Sequence, residues 1–98
     1  MNVHDRLHPS NHSGRYAVVA MHSSRDEFFL VGRTPISDIA EEASQMVEEW
    51  TDNYIGIIYD MCDPNDRDEL SRKNLVTKPE LEDAAELRKA AMLCDGGR

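Results

Sequence analysis

Three histidines recur every four residues near the start of the chain, His4, His8 and His12, a spacing that on a helix would turn three imidazoles toward one transition-metal ion. Pro9 and Gly14 interrupt any such helix, so the segment reads as a polar arm and no metal is assigned to it. His22 reads as a surface residue at a strand end. A second set of candidate ligands, Asp60, Asp63, Asn65, Asp66, Asp68 and Glu69, offers the clustered oxygens that calcium requires. Counted from Asp63, however, the sixth position is Asp68 where an EF-hand needs glycine, and the twelfth is Asn74 where it needs a bidentate glutamate. That stretch reads as a solvated, turn-rich connection. Cys62 and Cys94 show no CxxC spacing and read as free thiols, and the four histidines that could activate a nucleophile all fall within the first 22 residues. With no glycine-rich phosphate loop or zinc spacing either, the expected cofactor list is empty and no catalytic residue is assigned.

What the chain does concentrate is negative charge. Between Arg33 and Arg67 stand nine acids (Asp38, Glu41, Glu42, Glu48, Glu49, Asp52, Asp60, Asp63 and Asp66) and no lysine or arginine. The formal net charge is −8, from 11 basic and 19 acidic residues, and nearly all of the imbalance lies after residue 33. A basic protein surface is the natural partner of such a chain. Direct binding of nucleic acid or of an anionic membrane is argued against, since both require a basic footprint. Aromatic residues add candidate anchors. Trp50 reads as core, whereas Tyr54 and Tyr59 could either pack inside or anchor a partner from an open sheet face. The candidate partner-binding set is therefore Asp38, Glu41, Glu42, Glu48, Glu49 and Asp52 with Tyr54 and Tyr59.

These residues must be held by a small fold. A chain of 98 residues, 40% hydrophobic, has room for one core, read here as an N-terminal arm over residues 1–14 and a single domain over 15–98. The runs 16–21 (YAVVAM) and 27–31 (EFFLV) predict a β-hairpin. Thr34 and Pro35 predict a helix start, followed by a stripe of Ile36, Ile39, Ala40, Ala43, Met46, Val47 and Trp50 at spacings of three and four. The acids occupy the opposite face, where like-charge pairs cost roughly 0.2 to 0.5 kcal/mol each in an isolated helix. Residues 54–61 (YIGIIYDM) read as a third strand, apolar on both faces as a central strand would be. A crossover then gives the strand order 2-1-3. A short charged helix is expected around Leu70. Thr77 and Glu80 form a capping-box pattern ahead of a helix over 79–93, with Leu81, Ala84, Ala85, Leu87, Ala91 and Met92 available for burial. The expected fold class is α+β: a three-stranded antiparallel sheet (ββαβ), one packed helix and a C-terminal helical extension.

The Tyr16-x-Val18 strand, the Val31-Gly32-Arg33 strand end, and a helix carrying Ala43-x-Gln45-Met46-x-x-Glu49-Trp50 ahead of Asn53-Tyr54 together resemble small phage-encoded anti-CRISPR proteins of the type I-F inhibitor group. The resemblance covers about residues 14–59, and the acidic extension after Tyr59 lies outside it. It implies a non-enzymatic inhibitor, acting in the cytoplasm of a bacterial host, that binds a CRISPR-Cas effector subunit and blocks DNA recognition or cleavage. The residues alone leave two other classes open: a regulatory or structural protein-interaction module, and a metal- or thiol-dependent enzyme. They assign no oligomeric state. The lack of an apolar run near the roughly 18 to 20 residues of a membrane span, and of a signal-peptide core, leads to the expectation of a soluble protein.

Overall fold

The computed structural model describes residues 14–96; His4, His8, His12 and the rest of the arm up to residue 13 lie outside the described residues. Short, near-continuous apolar runs put 16–22 and 28–34 into two strands, β1 (Tyr16–His22) and β2 (Phe28–Thr34), paired antiparallel as the expected hairpin. The register shifts between Val18 and Val19, leaving Val31 as an extra residue in β2. The first helix, α1 (Ser37–Trp50), crosses to β3 (Tyr54–Asp60), which pairs antiparallel with β1 from Tyr16↔Asp60 to His22↔Tyr54. A second helix, α2 (Pro64–Ser71), leads to a two-residue strand, β4 (Leu75–Val76), and a 3-10 turn at Leu81–Asp83 opens the last helix, α3 (Ala84–Gly96).

The fold is thus α+β, as expected, with two corrections to the sheet. It has four strands in the order β3-β1-β2-β4, and it is mixed, because β4 runs parallel to β2 through Phe28↔Leu75 and Phe29↔Val76. The order 2-1-3 holds, and it puts β3 at the edge with β1 in the middle. Apolarity on both faces of β3 has another cause, since helices cover both sides of the sheet. On one side Val18, Ala20, Val31 and Tyr54 pack with Ala40, Ala43 and Val47 of α1 and Leu87, Ala90 and Cys94 of α3. On the other, Ala17, Val19, Phe28, Leu30, Tyr59 and Met61 pack around Leu70 of α2.

The helix starts also differ from expectation. Thr34 is fully buried as the last residue of β2, so its hydroxyl accepts from the Ile36 N–H (3.2 Å) and turns the chain, and α1 begins at Ser37 after an Ile36 that provides no side-chain cap. Asp63 caps α2 through the Asn65 N–H (2.9 Å), with Pro64 in its first turn. The Thr77/Glu80 box does not form. The Glu80 N–H donates instead to the Tyr54 hydroxyl (2.8 Å), which holds the chain extended up to the 3-10 turn. Within the stripe of α1 only Ala40, Ala43 and Val47 are fully buried; Ile39 and Met46 are partly covered, and Ile36 and Trp50 are exposed. The helix outruns its core at both ends. Gly32 lets α3 lie close on β2, since a Cβ there would stand 3.1 Å from the Cys94 Cβ. No disulfide joins buried Cys94 to exposed Cys62.

Candidate functional site

One flank of α1 packs on β3 and its buried stripe on the sheet, so helical periodicity drives the remaining residues outward. Asp38, Glu41, Glu42, Glu48, Glu49 and Asp52 are all exposed, and Gln45 completes their row. None of the six acids has an ion-pair partner among the described residues. The last turn of α1 holds no basic residue, so Glu48 and Glu49 also stand against the negative end of the helix dipole. The result is a solvated carboxylate row about three turns long from Asp38 to Glu49, with Asp52 just past the end of the helix, whose potential is unrelieved locally.

At its C-terminal end this row meets the turn before α3. Asp83, buried at 3% exposure, accepts from the Asp52 N–H (3.2 Å), the Asn53 N–H (3.3 Å) and the Asn53 side-chain amide (2.9 Å), which satisfies backbone donors just past α1. The Asn53 amide also donates to Glu82. This clamp joins Asp52 and Asn53 to Glu82 and Asp83. Two large apolar side chains close in sequence to these residues are exposed, Trp50 at 63% and Leu81 at 91%. Trp50, expected in the core, is the aromatic residue that the fold leaves outside.

The tyrosines are placed the other way. Tyr54 and Tyr59 are buried, at 5% and 4% exposure, and neither offers a ring to a partner. Burial pushes the Tyr54 phenol up, and pushes the Tyr59 phenol up to about 12, with the Glu69 and Asp66 carboxylates adding to the burial. His22, expected at the surface, is buried too. Its Nδ1 accepts from the Ser24 and Arg25 backbone N–H groups (3.1 Å each), so the proton resides on Nε2, 3.3 Å from Glu80 Oε1. The ring meets Tyr54 edge-on at 5.3 Å, and Arg25 also pairs with Glu80. Together these contacts tie the connection before α3 to the end of the sheet.

The acids of the connection after β3 are used structurally. Asp60 takes a two-point contact from Arg15 (2.9 and 2.8 Å), which holds its carboxyl below the usual range, and also accepts from the Cys62 N–H (3.0 Å). Asp66 accepts from the Asp60 N–H (3.0 Å), and Asp68 pairs with Arg72 (2.6 Å). Among the described residues no three His, Cys, Asp or Glu side chains are grouped so as to hold a metal ion, and no helix is long and apolar enough to cross a membrane. Compared with protein-family models, with curated proteins and with solved structures, the chain matches none.

Sequence reasoning found the acidic row and missed the clamp. Asp83 and Glu80 act on residues about 30 positions away, and no local pattern marks such a contact. Leu81, counted toward the apolar face of the expected 79–93 helix, falls in the 3-10 turn instead and is exposed.

Proposed function

We propose that this chain is a non-enzymatic binding protein whose acidic α1 face docks on a lysine- and arginine-lined surface of a protein partner. The observation that carries the reading is the row Asp38, Glu41, Glu42, Glu48, Glu49 and Asp52, exposed together and without basic partners among the described residues. A fold that only needed solubility gains nothing from segregating one sign of charge on one helix face, whereas a partner groove built for phosphates would be steered onto it. The resemblance over residues 14–59 supplies the partner class: a bacterial type I-F CRISPR-Cas effector, whose DNA channel the acidic face occupies so that target recognition or cleavage is blocked. The chain then acts in the bacterial cytoplasm, and needs no cofactor.

The test is competition. Purified type I-F effector is mixed with the chain, and target-DNA binding is followed by gel shift. Stoichiometric loss of DNA binding is expected, restored when Glu41→Lys and Glu48→Lys are combined. Full DNA binding in the presence of excess chain removes this partner. A pull-down from bacterial lysate then tests the wider class: a saturable partner with an acidic contact surface would overturn the reading.

A further inference from the structure

β3 is an edge strand, and hydrogen bonds at its two ends fix which of its backbone groups face outward. The Met61 N–H donates to the Arg15 carbonyl (2.7 Å) and the Ser23 N–H to the Asn53 carbonyl (2.8 Å), and the register between them runs without a shift from Tyr16↔Asp60 to His22↔Tyr54. Antiparallel pairing alternates, so Ile55, Ile57 and Tyr59 turn their N–H and carbonyl groups to β1, while Tyr54, Gly56, Ile58 and Asp60 turn theirs away. Both ends of this outer row are sealed within the fold: the Asp60 N–H by Asp66 (3.0 Å) and the Tyr54 carbonyl by the Thr51 hydroxyl (3.3 Å). Between them the N–H and carbonyl groups of Gly56 and Ile58 have no partner among the described residues. Residues 54–59 also lack the lysine, proline or bulge that commonly blunts an edge.

α1 sets the chemistry along this edge. Ser44 lies directly on Gly56, where an added Cβ would collide with the Ser44 backbone. One turn to either side of Ser44, on the same helix flank, stand Glu41 and Glu48, both exposed. On the other face of the strand Ile55 is exposed and Ile57 half-buried. We infer that β3 takes up an extended segment of the basic partner as a fifth strand. The segment's backbone pairs with Gly56 and Ile58, its side chains on the α1 side are lysine or arginine facing Glu41 and Glu48, and the alternate ones are apolar and lie beside Ile55 and Ile57. The inference rests on the acidic-face reading and deepens it by giving the form in which the partner docks. Charge complementarity selects this occupant over a second copy, since antiparallel pairing of two β3 strands would bring the Glu41 and Glu48 side chains of both chains together.

The probe is a peptide of alternating lysine and valine as long as β3, seven residues, added to the full-length protein at low salt while amide exchange is followed by NMR. In the free protein the Gly56 and Ile58 amides should exchange faster than those of Ile55 and Ile57, and the peptide should slow the first pair. Two further versions of the peptide carry N-methyl groups on one or the other alternate set of amides, which removes the donors along one edge and leaves the charge unchanged. One version should bind about tenfold more weakly than the unmethylated peptide, or worse, and the other within about twofold of it. Equal binding of the two versions, with exchange at Gly56 and Ile58 unchanged, would overturn strand addition and leave the acidic-face reading standing. Failure of every peptide to bind would overturn both. A dimer in sedimentation, with Gly56 and Ile58 already protected, would give the edge to a second copy and overturn the inference.

Discussion

Gly56 of β3 and Ser44 of α1 are in such close register that a Cβ atom on Gly56 would stand 2.9 Å from the Ser44 carbonyl carbon, and closer still to its oxygen and hydroxyl. The helix backbone therefore lies directly on the edge strand at this point, and the absent side chain is what allows it. Gly56→Ala has backbone to displace on the helix side, not the end of a flexible side chain, so it should destabilise by about 1 to 3 kcal/mol as an overpacking change. Urea melts of the two proteins check this, with wild-type stability in the alanine variant as the contrary result.

Asp83 adds a polar tie between the end of α1 and the 3-10 turn that opens α3. Replacing it by alanine leaves the Asp52 and Asn53 N–H groups without their acceptor, a loss of about 1 to 3 kcal/mol where water cannot fully substitute. Hydrogen exchange should speed up at those two amides first. Unchanged protection there would mean that the clamp is incidental.

The core makes its own prediction, and it shows what was legible in the residues. The 3.6-residue period located α1 and its buried Ala40, Ala43 and Val47, because burial on a single face leaves a repeating trace. It did not locate the ends of that stripe, since Ile36 and Trp50 have the right spacing but extend past the sheet that would cover them. The apolar character of β3 and its place beside β1 were read correctly, and its reading as a central strand was not. Leu70 of α2 closes the second face around Tyr59 and Met61, and that contact between separate segments has no signature within β3. A two-residue strand such as β4 is too short for any pattern, and the Thr77/Glu80 box failed because Tyr54 competes for the Glu80 N–H. Leu70→Ala, in a fully buried position, should thus be destabilising by about 2 to 5 kcal/mol, while Trp50→Ala should stay within about 0.5 kcal/mol of wild type. Thermal melts that reverse this ranking would place the core elsewhere.

Titration should limit stability on both sides of neutrality. Tyr59 has its folded pKa raised to about 12, against about 10 in an unfolded chain, so its contribution is complete below pH 10 and is lost as pH rises through 12; the raised Tyr54 acts in the same direction. Alkaline unfolding should coincide with the appearance of tyrosinate absorbance, and Tyr59→Phe should move it to higher pH. On the acid side the lowered Asp60 contributes above its unfolded pKa near 4 and is lost as pH falls through its folded value. Because the Arg15–Asp60 pair is largely solvated, that acid effect should be small and should shrink in salt. An alkaline midpoint identical in wild type and Tyr59→Phe would contradict the assignment.

The acidic face supplies the last prediction, because its cost and its use should have opposite signs. Asp38 lies three and four residues before Glu41 and Glu42, and Glu48 and Glu49 face the negative end of α1 without a basic residue in the last turn. Glu41→Lys turns one repulsive pair into an attractive one, and Glu48→Lys puts a cation where the helix dipole favours it. Together they should stabilise the free protein by about 0.5 to 1.5 kcal/mol at low ionic strength. The same two reversals place cations against the basic surface of the partner, so association should slow and affinity should fall, most steeply in dilute salt. Both responses are needed. A more stable double variant that binds an effector as fast as wild type would show that this face is only solvated and that recognition lies on another surface, whereas slower association without a gain in stability would mean that the carboxylates are already balanced in the free protein.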